Sequence, residues 1–390
     1  MQKRLSKLTI LFLSTNLDYV YMKKKYLIVG AGWSGATIAK LLFDEGNEVR
    51  ILEKENYIGG HSSSFLHKDV IWEPFGAHIF HTNNETVARF VQKHGMTRNY
   101  EHKVLTKFSL NDEEFLMSWP PQVDELKTLP NWKLIKQEIA MLSSEPSGKN
   151  FEEYVISMMG PTLYELFIKG YSIKQWGDNL NELSSNFAPK RIELRANGYK
   201  RLFSDKYEYF HPEGASPIIK NVIKNIDIEL MKEVNIDNVE NEFKNFDHLI
   251  LTCPLDGFVN QDILKWRGIK LEPKYFPNLD KDEKVTENYV INYPDLNIPY
   301  TRTVETKHAS GQQVNASVVA YEYPGTDDKH YPYPTVERIY EKENEKLKGF
   351  IQKDFSGKVS FCGRLANYTY INQDQAIAQS FALYRSLQNE

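Results

Sequence analysis

The chain has 390 residues, of which 41% are hydrophobic and 26% are charged, and both fractions are ordinary for a globular protein. Its 48 basic and 52 acidic side chains give a formal net charge of −4, which argues against a nucleic-acid-binding protein because no net basic field is present. Aromatic residues reach 13%, including 23 tyrosines. Tyrosine suits polar, planar ligands such as nucleotides and sugars, because each ring offers an apolar face and a hydroxyl.

The first 21 residues carry three basic side chains and then a short apolar run at 8–13. This run is too short to span a bilayer, and no small-residue cleavage site follows it. We interpret 1–21 as a disordered extension outside the fold, with a vestigial targeting signal as the alternative. Cys253 and Cys362 each lie in an apolar, strand-like run, which predicts two buried thiols and a reducing, cytoplasmic location without a membrane partner.

A strand–helix–strand pattern opens the fold. Residues 26–29 form a continuous apolar run, a GxGxxG turn follows at 30–35, and helical spacing continues to Gly46. A second apolar run ends at Glu53. The glycines let a pyrophosphate approach the backbone at the helix N-terminus, and the acid is placed to bind a ribose. The pattern predicts a Rossmann-like dinucleotide site whose residues are Gly30, Gly32, Trp33, Ser34, Gly35 and Glu53.

A second glycine pair follows the acid within the string KENYIGG at 54–60. In two-dinucleotide-binding flavoproteins such a pair lies near the FAD pyrophosphate and flavin, where glycine permits close backbone contact. The pair therefore favours FAD over NAD, with an ordinary turn as the alternative. This segment adds Lys54, Gly59, Gly60 and His61 to the predicted cofactor-binding residues.

The rest of the chain alternates between helical and strand-like patterns. Residues 131–185 look helical, whereas short strands broken by proline occupy about 189–340. Buried-strand patterns return at 247–252 and 359–362, and a helix pattern closes the chain. A nucleotide-binding unit at one end, with strand and helix returning at the other, predicts a discontinuous cofactor domain.

Five further strings resemble the UDP-galactopyranose mutase family. They are FGAHIFHT at 75–82, IKGYSIKQWG at 168–177, APKRIELR at 188–195, VINYPDLNIPYTR at 290–302 and FCGRLANYTY at 361–370. They occur in the family's order and at about its spacing, so the resemblance covers the chain from about residue 22 to its end.

The resemblance implies an α/β fold: a discontinuous Rossmann-like FAD-binding domain, an inserted helical domain and a twisted antiparallel sheet domain. The boundaries we expect are an extension at 1–21, FAD-binding segments at 22–100, 215–260 and 341–390, a mainly helical insert at 101–188, and sheet segments at 189–214 and 261–340.

The same resemblance implies an isomerase that interconverts pyranose and furanose forms of a nucleotide-diphosphate sugar, supplying furanose donors for surface polysaccharide. In this family the N5 atom of reduced FAD attacks the anomeric carbon as the nucleotide diphosphate leaves, and the flavin–sugar adduct opens and recloses through another hydroxyl. The reaction needs reduced FAD but has no net redox change. Two alternative functions stay open: an FAD-dependent oxidoreductase of the amine-oxidase type and a non-catalytic sensor. The assembly that we consider is a homodimer.

The resemblance also assigns roles to individual residues. Arginine suits a leaving diphosphate because its guanidinium can make bidentate contacts, and neutral histidines can tune flavin N5 or a sugar hydroxyl. The implied catalytic residues are Arg191, Arg302, His78 and His81. The implied substrate-binding residues are Tyr171, Trp176, Asn292, Tyr370, His102 and one of Tyr331 and Tyr333. The final FAD segment adds His78, Gly363, Arg364, Asn372 and Gln373, with the helix that starts at 372–374 directing its amides toward the flavin. No metal site is predicted.

Several positions depart from the family near the sugar and the diphosphate. Asn372 and Gln373 stand where the family has Asp-Met, and Leu202 replaces a tyrosine that would supply a hydroxyl to the diphosphate. Tyr199 is a candidate replacement for that hydroxyl, and the stretch around His102 also differs. We therefore predict a substrate other than UDP-galactose, such as a pentose, deoxyhexose or heptose on UDP or GDP.

Overall fold

The computed structural model describes residues 23–177, 179–186 and 192–389. The predicted extension at 1–21 and the predicted catalytic Arg191 lie outside these residues. The strands are β1 (Lys25–Val29), β2 (Glu48–Leu52), β3 (Phe65–His67), β4 (Val70–Trp72), β5 (Phe80–Thr82), β6 (Val104–Leu110), β7 (Glu113–Trp119), β8 (Tyr207–Tyr209), β9 (Asp227–Glu229), β10 (His248–Leu251), β11 (Trp266–Pro277), β12 (Val290–Asn292), β13 (Arg302–Val304), β14 (Ala316–Gly325), β15 (Tyr331–Pro332) and β16 (Val359–Phe361).

The helices are α1 (Trp33–Asp44), α2 (Glu85–Lys93), α3 (Val123–Leu126), α4 (Trp132–Ala140), α5 (Phe151–Met159), α6 (Pro161–Leu163), α7 (Gly170–Trp176), α8 (Ser216–Val222), α9 (Val239–Phe243), α10 (Leu255–Phe258), α11 (Lys307–Ser310), α12 (Ile339–Asp354), α13 (Gly363–Ala366) and α14 (Gln373–Leu387). A π-helical segment, Tyr164–Lys169, joins α6 to α7. Within the described ranges, no helix is long and apolar enough to cross a membrane.

Buried aliphatic runs from three parts of the chain form one parallel sheet. Among the described residues it has five strands in the order β16-β10-β1-β2-β9. Leu27 and Ile28 in β1, like Leu249 and Ile250 in β10, are 0% exposed, as expected for central strands covered on both faces. This sheet confirms the predicted discontinuous Rossmann-like domain.

The second large sheet is mainly antiparallel, and in the described part of the chain its order is β15-β11-β14-β13-β12-β6-β7. The long strands β11 and β14 pair continuously from Gly268–Gly325 to Pro277–Ala316. One neighbouring pair, β12 with β6, runs parallel. Arg302 and Asn292 lie opposite each other on β13 and β12, so the sheet brings both to the same site.

The helical insert is fixed to this sheet through a half-buried lysine on α7. The Lys174 ammonium donates to the carbonyl oxygens of Tyr293, Asp295, Ile298 and Tyr300 at 2.6–3.1 Å. These four hydrogen bonds replace the hydrogen bonds to water that the ammonium group loses on burial. The turn between β12 and β13 is therefore held directly against the helix that carries Tyr171 and Trp176.

Two expected domain segments differ from the structure. Residues 104–119, placed in the mainly helical insert, form β6 and β7 of the large sheet, joined by a tight turn in which Asn111 and Asp112 have φ of 53° and 65°. The described part of 189–214 supplies β8, which pairs with β5 and not with the large sheet. Both thiols are free as expected, although Cys253 is only partly buried whereas Cys362 is buried.

Gly35 is the point at which α1 approaches the glycine-rich turn most closely. A Cβ built at Gly35 would lie 1.9 Å from the carbonyl oxygen of Gly30. We expect Gly35→Ala to force the helix away from the turn and to lower the free energy of unfolding by roughly 1–3 kcal/mol or more. Gly349→Ala in α12 is the matched control, because a Cβ there has no heavy atom within 4 Å and alanine favours helix by about 1 kcal/mol. Calorimetric midpoints measure both, and an unchanged midpoint for Gly35→Ala would contradict the close contact.

Candidate active site

The carboxyl ends of β1, β2 and β10 meet at a cavity of about 550 Å³. Open parallel sheets bind their ligands at this edge. The cavity wall includes these predicted cofactor-binding residues: Gly30, Gly32, Trp33, Ser34, Glu53, Lys54, Gly59, Gly60, His61, His78, Arg364, Asn372 and Gln373. The two other predicted residues lie behind the wall: Gly35 packs against Gly30, and Gly363 packs against Ser34.

Glu53 anchors the glycine-rich turn from the end of β2. Its carboxylate accepts hydrogen bonds from the backbone N–H of Ala31 at 2.7 Å and from that of Glu55 at 3.0 Å. The side chain is 6% exposed, and burial raises the pKa of Glu53 while the two N–H donors oppose that shift. The acid therefore fixes the turn and also faces the cavity at the position expected for a ribose contact.

The first cavity fits FAD in shape and in donor set. Gly32 is the N-cap of α1 and supplies no capping side chain, so the first amides of the helix can meet a pyrophosphate. A Cβ built at Gly32 would lie 3.8 Å from the oxygen of Gly59 and 3.9 Å from Cα of Gly60, in the cleft between the two glycine segments. A side chain at Gly32 would therefore meet ordinary van der Waals contacts there but would occupy the cleft through which a dinucleotide backbone would pass.

A second cavity, of about 250 Å³, adjoins the first and shares Phe75, His78, Arg364, Asn372 and Gln373 with it. The last two residues begin α14, where Asn372 forms a reciprocal capping box and Gln373 accepts a hydrogen bond from the Trp33 indole at 2.6 Å. The first and last segments of the cofactor domain therefore meet at the boundary between the cavities.

Neutral imidazoles surround this boundary. Burial, followed by the nearby Arg364 charge, lowers the pKa of His78 and of His61 to about 3. Burial also places the pKa of His330 well below its usual value, and His330 stacks on His61 with ring centroids 4.1 Å apart. The Nδ1 atoms of His78 and His330 are buried without a hydrogen-bond partner among the described residues. The Nδ1 atom of His78 lies 3.8 Å from the buried Glu73 carboxylate, whereas His330 lines the second cavity.

The second cavity is suited to an anion. Arg302 lines it, donates to the Tyr171 hydroxyl and lies 3.1 Å from Glu322 through its Nε. Arg364 lies over the rings of Tyr331 and Tyr370 at 5.2 and 5.6 Å. No carboxylate side chain is among the described residues that line the cavity. Glu322 pairs with Arg302 from behind the wall, but the charged side chains on the wall itself are arginines, which favours a phosphate-bearing ligand.

The other predicted substrate residues separate into two groups. Those that line the second cavity are His81, His102, Tyr171, Trp176, Asn292, Tyr331 and Tyr370. Tyr333 does not line it: this side chain is 3% exposed, and its ring packs on Trp176 in the core. Of the two tyrosines, Tyr331 lines the cavity and Tyr333 lies in the core, so Tyr331 is the candidate for the substrate contact.

Leu202, which stands where the family has a tyrosine, and Tyr199 differ in their position relative to the second cavity. Leu202 lines the second cavity, and its backbone N–H donates to the carbonyl oxygen of His102 at 2.7 Å. Tyr199 lies outside the described lining and donates its hydroxyl to the Phe203 carbonyl at 2.8 Å. Tyr199 therefore does not replace the hydroxyl that Leu202 lacks.

Some wall residues carry no signal in the sequence, because they come from segments without a motif. They include Phe151, Phe167 and His330. The structure also brings one potential ligand atom each from His61, Asp328 and His330 within 4.8 Å of one another, although no metal was expected. We assign these three to the walls of the two cavities, since His61 and Asp328 line the first and His330 lines the second.

Glu53→Ala should lower the amount of FAD that the purified protein retains. The substitution leaves two backbone N–H groups without their acceptor, which costs roughly 1–3 kcal/mol, and it removes the expected ribose contact. Glu53→Gln keeps one side-chain oxygen and is the matched control, with intermediate retention expected. The ratio of flavin to protein absorbance gives the result. A wild-type protein that stays colourless after FAD is added would contradict the assignment of the first cavity.

Comparisons with known proteins agree with this arrangement. A sequence model of the family described as UDP-galactopyranose mutase matches residues 166–370, and one described as an NAD(P)-binding Rossmann-like domain matches residues 28–94. The chain is 29% identical to dTDP-fucopyranose mutase of Escherichia coli, across 91% of this chain and 96% of that protein.

It is 31% identical to a protein of Klebsiella pneumoniae described as "Probable UDP-galactopyranose mutase", across 92% of this chain and 93% of that one. Among solved structures, the crystal structure of reduced UDP-galactopyranose mutase has a similar fold, with a TM-score of 0.74 over 94% of each chain at 14% identity. The family match and the full-length similarity, together with a dinucleotide cavity joined to an anion cavity, establish that this chain belongs to the UDP-galactopyranose mutase family.

Proposed function

We propose that this protein is an isomerase that converts the pyranose form of a nucleotide-diphosphate sugar into the furanose form and back, with reduced FAD in the first cavity. The observation that carries the proposal is the direct contact between the two cavities through His78, Arg364 and the start of α14. A flavin that extends to this boundary would lie beside a sugar whose diphosphate is held in the second cavity.

The roles of the protein groups follow from their chemistry. When bound and reduced, FAD supplies a nucleophilic nitrogen for the anomeric carbon. Arg302 would hold the diphosphate both before and after it leaves the sugar, and the hydroxyls of Tyr171, Tyr331 and Tyr370 would orient it. The neutral imidazole of His78 can donate or accept a hydrogen bond at the boundary without adding a charge. Arg191 remains a proposed second diphosphate ligand, on its match to the family string at 188–195.

The alternative of an FAD oxidoreductase predicts a different use of electrons. An oxidase transfers a hydride to oxidised flavin in every turnover, whereas a mutase needs flavin reduced once and then consumes no electrons. Anaerobic assays with dithionite-reduced protein therefore separate the two. A mutase should complete many turnovers per flavin while the absorption spectrum of the reduced flavin stays unchanged. A sensor without catalysis would bind the nucleotide sugar and leave it unchanged.

Arg302→Ala should reduce turnover by about 10²-fold or more, since a buried charge-assisted contact to the diphosphate is worth roughly 2–4 kcal/mol. FAD content should stay normal, because Arg302 lines the second cavity and not the first. Arg302→Lys keeps the charge but loses the planar fork, so an intermediate rate is expected. Near-normal turnover in the alanine variant, measured by chromatography of the products, would show that the assigned role is wrong.

The sugar preference should differ from that of a galactose-specific enzyme. Leu202 and Phe203 place apolar groups on the wall next to His102, and the Escherichia coli relative is named for a fucopyranose substrate. Among the predicted sugars, we expect a deoxyhexose or a pentose to exceed UDP-galactose in kcat/KM by about 10-fold or more, because an apolar wall leaves a hydroxyl of the hexose without a partner. UDP-, GDP- and dTDP-sugars competing in one vessel test this. A clear preference for UDP-galactose would contradict it.

A further inference from the structure

His81 is held in one orientation on the wall of the second cavity. It lies in β5, and its Nδ1 atom is 2.7 Å from Oδ2 of Asp205. The imidazole stacks on Phe203 with ring centroids 3.5 Å apart and an angle of 11° between the planes. The other carboxylate oxygen of Asp205 accepts a hydrogen bond from the Asn83 side chain at 2.6 Å. Both the imidazole and its partner are therefore fixed from two sides.

The hydrogen bond also determines which ring nitrogen can act on a ligand. A carboxylate only accepts hydrogen bonds, so Nδ1 carries a proton that it donates to Asp205. Nε2 is then the nitrogen that can exchange a proton with a molecule in the cavity that His81 lines. Carboxylate–imidazole pairs of this kind fix the tautomer and stabilise the imidazolium that forms during proton transfer.

Two other carboxylates lie near His81 but are engaged elsewhere. Glu208 receives a hydrogen bond from Arg201 at 2.6 Å, and Asp374 receives one from Thr82 at 3.0 Å. Asp205 is the carboxylate that bonds to the imidazole itself. It lies on the segment that leads into β8, which pairs with β5, so the sheet sets the distance between the two side chains.

We propose that His81 carries the proton during ring opening and closure, and that Asp205 is its positioning residue. This inference rests on the proposed function. In a hexose the C1–O5 bond breaks and O5 takes a proton from the His81 imidazolium. The C1–O4 bond forms as the O4 hydroxyl returns a proton to His81. The two transfers cancel, no electrons are gained or lost, and the return reaction uses the same steps in reverse.

Asp205→Asn tests the proposal, because asparagine keeps the shape and an oxygen acceptor but has no charge. With dTDP-fucopyranose and UDP-galactopyranose as probes, we expect kcat to fall about 10- to 10²-fold with little change in KM. His81→Gln should lower kcat about 10²-fold, and the double variant should be no slower than His81→Gln, since both act in one step. The slowed variant should also show a solvent deuterium isotope effect on kcat larger than that of wild type, which a purely structural role would not produce.

The controls separate folding from chemistry. Glu85→Gln removes a carboxylate from a neighbouring exposed ion pair, 2.7 Å from Lys206, and should leave kcat and the isotope effect unchanged. Asn83→Ala removes one support of Asp205 and should lower kcat several-fold, which keeps the proposal testable if Asp205→Asn does not fold. FAD content and the unfolding midpoint are measured for every variant.

The possible outcomes are distinct. If wild type turns over and Asp205→Asn keeps its kcat, or if the His81 and Asp205 effects simply add, the inference is wrong while the proposed function stands. If wild type converts neither probe nor any other sugar in the UDP, GDP and dTDP panel, the proposed function fails and this inference fails with it.

Discussion

The close contact between two backbone segments at the glycine-rich turn determines the position of much of the site. Because Gly35 lies against Gly30, α1 begins directly at the cofactor cavity. α14 then packs along α1, where the Ser380 hydroxyl donates to the carbonyl oxygen of Ser34 at 3.1 Å. That packing brings the start of α14, more than 300 residues later in sequence, to the boundary between the cavities. A side chain at the turn would displace every one of these elements.

The two cavities differ in the charge of the side chains on their walls. Glu53 lies at the expected ribose end, where backbone amides compensate its carboxylate. Arg302 lies at the anion end, beside the buried Glu322 and hydrogen-bonded to Tyr171. Between Glu53 and Arg302, the imidazoles of His61 and His78 are neutral, because a buried imidazolium beside Arg364 would cost free energy. The boundary therefore offers hydrogen-bonding groups with little net charge, next to the cavity that Arg302 lines.

The cofactor domain could be predicted from sequence because its signals are local. Gly30, Gly35 and Glu53 belong to one continuous strand–turn–helix–strand pattern, so their spacing alone indicates the contact. The β6–β7 hairpin has a local turn signal, Asn111-Asp112 between two alternating runs, but the pairing of β6 with β12, far along the chain, has none. His330 belongs to no motif, and no local pattern around Asp205 indicates its contact with His81. Their importance depends on which distant side chain they contact, here His61 and His81, and single-sequence patterns do not contain that information.

The shared wall between the two cavities has a thermodynamic consequence. Phe75, His78, Arg364, Asn372 and Gln373 touch both spaces, so a ligand that orders them in one cavity reduces the conformational entropy that a second ligand must still remove in the other. Linkage makes this effect reciprocal: the factor by which bound cofactor tightens nucleotide-sugar binding equals the factor by which the sugar tightens cofactor binding. If both ligands order this wall, the protein would retain its cofactor most firmly while the nucleotide sugar is bound.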